Sequence, residues 1–361
     1  MSGKSVFDDL HAQETRKALT LALMRAAYAY MGLHKGYENV SDCVKDEEIR
    51  RTSALALEEA GGALVSEYHF SKDEMKNWTQ EAVRNFKQSF EQGKIENLAT
   101  GISEILKNGL TGAILLCKNN GVWPYYSAKI LAYALAFEST SDPDSVMIRE
   151  YTQYYGVKES AKKFCELENE PELLQLIARQ YEDILSGKAE DVIKTGLMKK
   201  AFALGFNNEK VYRGCAQCTL LSMFELFGRE NSVLFQSASA LSGGMAQTGD
   251  GACGGYTGGI LYTGSVIGRR LDRMKIDKDR QAQLASYKMA QLLRDRFIET
   301  YGSVICADIH REIFGKAYCL RTQAVKKEFD DAGAHTVKCT TVIGTASAWI
   351  AEILYDNGYN E

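Results

Sequence analysis

The sequence predicts an all-α protein of two helical domains, and three observations carry that expectation. No stretch of the 361 residues alternates β-branched and polar side chains as a half-buried strand does. All three prolines, Pro124, Pro143 and Pro171, fall in the first half, so the second half runs free of the residue that breaks helices. Apolar residues recur with helical spacing over Lys278 to Tyr301 (Leu284, Tyr287, Ala290, Leu292, Phe297) and over Val337 to Tyr355 (Val342, Ala346, Ile350, Ile353, Leu354).

In chain order, Ala18 to Leu33 is the most apolar early segment, interrupted by Arg25. Ser71 and Glu74 form a capping box that opens a helix running to about Gln92. Pro124 and Pro143 sit where first-turn prolines belong, and Gly36, Gly187, Gly228 and Gly315 are placed as helix stops. A long amphipathic stretch ends near Ser186 to Glu190, which puts one domain at 1–187 and a second at 188–361. Val211 to Phe227 reads as a helix carrying Cys215 and Cys218 on one face.

Composition narrows the function. The chain is 45% hydrophobic and 25% charged with a net charge of −4, which argues against general nucleic-acid binding. Acidic residues dominate before residue 188 and basic ones after it, with a basic group at Arg269, Arg270, Arg273, Lys275, Lys278 and Arg280. No window holds 18 uninterrupted apolar residues, and the N-terminus MSGKSVFDDLHAQE has no apolar signal core. The expectation is a cytoplasmic protein with no membrane partner. Nine cysteines without a secretion signal are more naturally thiols, metal ligands or redox groups than a disulfide framework.

Chemistry concentrates after residue 210. Leu241 to Arg269 holds glycines at 243, 244, 249, 251, 254, 255, 258, 259, 264 and 268 around Cys253. Such density destabilises helix interiors unless backbone must approach something closely, whether a cofactor, a cluster or a docked helix. Gly249, Gly251 and Gly254 match the dinucleotide fingerprint by letter, but no buried strand precedes them. Gly254 with Gly258 and Gly255 with Gly259 suit close helix packing. The arrangement allows four thiols to converge from four helix ends: Cys215, Cys253, Cys306 and Cys339. Soft thiolates favour an iron–sulfur cluster, with Gly254, Gly255 and Gly258 as cofactor-binding positions. Cys43, Cys117, Cys165 and Cys319 read as small buried hydrophobes. Asp308, His310 and His335 read as surface or cap residues, with His335 near enough to Cys339 to serve as a proton donor.

The run Gly214-Cys215-Ala216-Gln217, the glycines of Leu241 to Ala246, the Cys253 to Gly258 turn, Gly302-Ser303-x-x-Cys306 and Cys339 resemble the redox-active family labelled C_GCAxxG_C_C, over about residues 190 to 356. The second element reads C-G-G-x-x-G here, and Cys218 and Cys319 are additional to the four. The resemblance implies redox activity or cluster binding, without a named substrate.

Residues 15 to about 185 resemble the helical C-terminal domain of polyol-type long-chain dehydrogenases. The likeness lies in Ala29-Tyr30-x-Gly32-x-x-Lys35-Gly36-Tyr37, Glu58-Glu59-Ala60-Gly61, and Tyr125 to Ala136 followed by Asp142-Pro143-Asp144. That family polarises its carbinol with a lysine, an asparagine and a histidine. The matching positions are Lys17, Ala22 and Arg25, and fourteen residues leave no room for a nucleotide domain ahead of them. No NAD(P) is expected, and this half is read as a scaffold for packing, homo-oligomerisation or partner binding.

Together these expectations describe an oxidoreductase that exchanges electrons with a redox partner protein or a small-molecule carrier. Two alternatives stay open: a thiol–disulfide enzyme using Cys215 and Cys218, in which a helix N-terminus lowers the thiol pKa, and a non-enzymatic helical interaction protein with a degenerate dehydrogenase-like domain.

Overall fold

The computed structural model describes residues 6–137 and 142–359, and over these the chain is all-α. Extended pairing among the described residues is limited to two isolated bridges, Asn39 to Lys94 and Ala252 to Ile305. Two compact units form, one from residues 1–168 with 173–189 and one from residues 169–172 with 190–361.

The first unit is built on helices Val6–Ala26, Glu47–Tyr68, Thr111–Asn119 and Tyr125–Leu135. Ser71 caps helix Lys72–Phe90 by accepting the Glu74 N–H at 3.0 Å, as the capping box predicts. Pro143 opens helix Pro143–Tyr155 behind an Asp142 cap, whereas Pro124 is itself the cap residue of Tyr125–Leu135, one place earlier than expected. That helix start is satisfied from across the core. Buried Glu59 accepts the N–H groups of Tyr126 and Ser127, at 3.1 and 3.0 Å, and the Ser127 hydroxyl at 3.1 Å. Gly32 is required because a Cβ there would stand 2.4 Å from Cys43 Sγ. Arg25 is committed to structure, donating to the Leu98 and Thr100 carbonyls at 2.7 Å each, and Lys17 is exposed.

In the second unit, helices Val192–Tyr212 and Cys339–Asp356 pack at backbone distance. A Cβ on Gly205 would fall 2.7 Å from the Ile343 carbonyl oxygen, and one on Gly344 would fall 2.9 Å from the Phe202 ring. The Phe297 ring of helix Arg280–Tyr301 meets Trp349 edge-on at 5.3 Å. Gly228 and Gly315 end their helices at φ 68° and 76°, as stop glycines do. Among the described residues one helical stretch, Ala334–Asp356, is long and apolar enough to cross a membrane, and 78% of its apolar window is buried inside the protein.

Two helix boundaries differ from expectation. Val211 to Phe227 is not one helix: Arg213 and Gly214 both take positive φ, so one helix ends at Tyr212 and the next starts at Cys215. Lys278 and Asp279 also take positive φ and separate Leu271–Asp277 from Arg280–Tyr301. Apolar periodicity carries no record of a two-residue reversal, which is why the spacing alone runs through the first break and starts the later helix two residues early.

Candidate functional site

Four cysteines from four helices line one cavity of about 240 Å³ in the second unit. Cys215 and Cys306 are the first residues of helices Cys215–Phe227 and Cys306–Phe314, and Cys253 is the N-cap of Gly254–Ile267. These three therefore sit at helix ends whose leading N–H groups are positively polarised. Cys339 stands where a π turn, Ala334–Lys338, passes into helix Cys339–Asp356.

The backbone between the second and first elements is unusual. Gly243, Gly244, Met245, Ala246 and Gln247 are consecutive residues with φ between 49° and 66°. A left-handed turn costs its L-residues roughly 1–2 kcal/mol each, so it must be held from outside. Gly249 N–H bonds the Gly243 carbonyl at 3.0 Å, and Leu320 N–H bonds that of Gln247 at 2.9 Å. The turn presents the Gly243 N–H to Cys215 Sγ at 3.4 Å. Beyond it the chain pairs with residues 304–307: Cys253 N–H donates to Val304 O at 2.8 Å, and Cys306 N–H to Gly251 O at 2.9 Å. This short pairing brings two of the four cysteines together.

The glycines of Gly254–Ile267 have their own task. A Cβ on Gly254 would lie 2.2 Å from Cys215 Sγ, one on Gly258 would lie 2.6 Å from Ala216 O, and one on Gly255 would lie 3.0 Å from the Ala346 Cβ. What surrounds Gly254, Gly255 and Gly258 is neighbouring helix. Gly254 and Gly258 seat the Cys215 helix against the Cys253 helix, and Gly255 seats helix Cys339–Asp356 against it.

Burial pushes Cys215 up to about 11 and Cys253 up to about 12, each against backbone N–H groups that act the other way. Burial likewise raises Cys306 and Cys339 well above the ordinary thiol value, and neighbouring thiols add to the effect. The lowering expected of a helix N-terminus is thus outweighed by desolvation. As bare thiols all four are neutral at pH 7, and a bound cation is what would hold them as thiolates. Among the described residues no three His, Cys, Asp or Glu side chains stand close enough to share one metal ion. Four thiols around one cavity are the type of donor set that iron–sulfur clusters use.

Cys218 and Cys319 lie apart from this group. Cys218 is buried with its thiol donating to the carbonyls of Arg213 at 3.1 Å and Asn208 at 3.4 Å. Cys319, expected in the core, is exposed. Cys43, Cys117 and Cys165 are buried, as small hydrophobes would be.

Sequence reasoning missed the polar wall of the cavity. His310, expected at the surface, is buried with Nε2 3.4 Å from Cys306 Sγ. Its signal was the i, i+4 spacing from Cys306, which puts both on one helix face. Glu209, Arg213, Lys326, Asp330 and His335 line the same cavity. Asp308 instead accepts from the Ser303 hydroxyl at 2.8 Å at the start of its helix.

Comparison with known proteins meets both resemblances. Residues 214–353 match the family described as "Putative redox-active protein (C_GCAxxG_C_C)", and residues 9–185 match "Mannitol dehydrogenase C-terminal domain". The chain is similar to mannitol-1-phosphate 5-dehydrogenase of Caldanaerobacter subterraneus, 26% identical over 52% of this chain and 49% of that one. It is also similar to that of Thermoanaerobacter pseudethanolicus, 24% identical over 51% and 48%, and to that of Buchnera aphidicola subsp. Schizaphis graminum, 28% identical over 49% and 46%. The chain spans about half the length of these curated relatives.

Proposed function

We propose that the second unit is an electron-transfer module in which Cys215, Cys253, Cys306 and Cys339 hold an iron–sulfur cluster. The single observation that carries this reading is that four cysteines scattered from residue 215 to residue 339 line one cavity. When bound, such a cluster supplies reversible one-electron chemistry. The protein's own residues do the rest: the helix ends at Cys215, Cys253 and Cys306 and the Gly243 N–H stabilise sulfur charge. The Gly254 and Gly258 contacts fix the spacing of the two helices that bear Cys215 and Cys253.

The redox label of the family matched by residues 214–353 agrees with this reading. The placement of Cys218, turned to backbone carbonyls and absent from the cavity wall, weighs against a Cys215–Cys218 disulfide exchange. The electron partner is a one-electron carrier, protein or small molecule. The first unit serves as a scaffold in a cytoplasmic protein: Arg25 is tied to carbonyls and the position matching the dehydrogenase asparagine is Ala22.

The test is visible absorption with iron and sulfide analysis on protein purified without oxygen. Brown protein with iron and acid-labile sulfide supports the assignment; colourless, iron-free protein overturns it.

A further inference from the structure

An electron entering a site sunk in protein leaves a charge that a low-dielectric interior tolerates poorly, so a proton tends to follow it. A chain of titratable groups leads from the thiol cavity outward. Glu209 lines the cavity with a side chain 2% exposed, and its Oε2 has no hydrogen-bond partner. Its Oε1 stands 3.3 Å from His335 Nδ1, and His335 Nε2 stands 3.6 Å from Asp330 Oδ1. Exposure rises along the series, from 2% at Glu209 through 18% at His335 to 37% at Asp330. The order is therefore interior carboxylate, imidazole, surface carboxylate.

Imidazole suits the middle position because it can take a proton on one ring nitrogen and release one from the other. His335 Nδ1 lacks hydrogen-bond alignment as it stands, and at these separations a rotation of the ring is all that alignment requires. The other charged or titratable groups on the cavity are Arg213, Lys326, His310 and the four thiols, and the buried Cys218 thiol faces the Glu209 carboxylate from the neighbouring helix. Arg213 is engaged with Asp330 Oδ2 at 3.1 Å and His310 with Cys306.

We infer that Asp330, His335 and Glu209 form a proton relay between solvent and the four-cysteine cavity, with Glu209 as its inner terminus. The inference rests on the redox reading above. One electron passes from a one-electron donor to the redox centre of the cavity, and one proton passes from solvent by way of Asp330 and His335 to the Glu209 carboxylate. No bond to sulfur forms or breaks, and reoxidation returns both particles.

The experiment uses the full chain purified without oxygen. Its midpoint potential is followed by absorbance between about pH 6 and about pH 9, and its reduction rate by stopped flow with reduced methyl viologen. Wild-type protein is expected to lose about 59 mV for each tenfold fall in proton activity, the one-electron, one-proton slope. Glu209→Gln, nearly isosteric, flattens that slope with the iron content kept. His335→Phe keeps the slope and slows reduction on the order of tenfold. A flat wild-type slope with an intact redox signal, an unchanged slope in Glu209→Gln, or a wild-type rate in His335→Phe sinks the relay alone. Protein with no redox-active absorbance overturns the redox reading and the relay with it.

Discussion

Each unit carries buried cysteines, and neither burial nor acidity tells the two sets apart. In the first unit burial pushes Cys43 and Cys165 up to about 12, much as it pushes Cys253 in the second. The difference is in what the sulfurs face. Cys43 points its thiol at the Tyr28 carbonyl at 3.5 Å and fills the notch left by Gly32. Cys215, Cys253, Cys306 and Cys339 face a common cavity, three of them from helix starts. A core thiol and a working thiol are thus distinguished by convergence, which a residue-by-residue property does not contain.

Substitution at the sulfurs puts that distinction at greatest risk. Cys253→Ser and Cys306→Ser are each expected to abolish iron content and visible absorbance, while Cys43→Ser and Cys165→Ser leave iron unchanged and lower stability by about 1–3 kcal/mol. Equal iron loss in both sets, by metal analysis, would erase the difference between the units.

Glycine substitutions sharpen it next. Gly254→Ala drives a methyl to within 2.2 Å of Cys215 Sγ and is expected to destabilise the second unit by about 3 kcal/mol. Gly264→Ala, on the same helix with nothing within 4 Å, should stabilise by about 0.4–1 kcal/mol. Urea midpoints of the two variants check the contrast, and a tolerated Gly254→Ala would mean the two helices do not meet this closely.

Alkaline titration of metal-free protein follows. A thiol whose folded pKa is raised contributes stability that is complete below its ordinary value of 9.0 and lost as pH rises through the folded value. For Cys215 that window runs from about 9 to about 11, and for Cys43, Cys165 and Cys253 it reaches about 12. Denaturant midpoints should fall across this range in metal-free protein, and the Cys215 share should vanish in Cys215→Ala.

Cys218→Ala should cost only on the order of 1 kcal/mol and keep the absorbance that Cys215→Ala loses. Turnover of a disulfide substrate that depends on Cys218 would move the chemistry to the C-x-x-C pair. The smallest expected signal is none: calorimetry should detect no micromolar binding of NAD(H) or NADP(H), and Lys17→Ala should change nothing measured. Heat from either nucleotide would return the first unit to the catalysts.

Helix class, helix stops and the four cavity cysteines were legible because each leaves a local mark: apolar period, Gly228 and Gly315, and cysteines beside glycines. The Arg213-Gly214 reversal was not legible, since Arg213 gives no sign of its positive φ. Nor was the left-handed turn at Met245, Ala246 and Gln247, which exists because distant backbone, such as the Leu320 N–H, holds it. Glu209 and Asp330 join the cavity only through tertiary packing, and their sequence positions match ordinary helix-surface acids. Cys319 shows the reverse error: an apolar residue type is no guarantee of burial.

The scatter of the four cavity cysteines from residue 215 to residue 339 has a consequence for biogenesis. A zinc knuckle with closely spaced ligands can close on its ion while the chain is still emerging. Here the last thiol arrives with helix Cys339–Asp356, the same segment that packs at backbone distance on Val192–Tyr212. A nascent chain that has not reached that helix therefore lacks both a wall of the cavity and the partner of Val192–Tyr212. If the four thiols share one bound group, that group is delivered only after synthesis of the second unit is nearly complete.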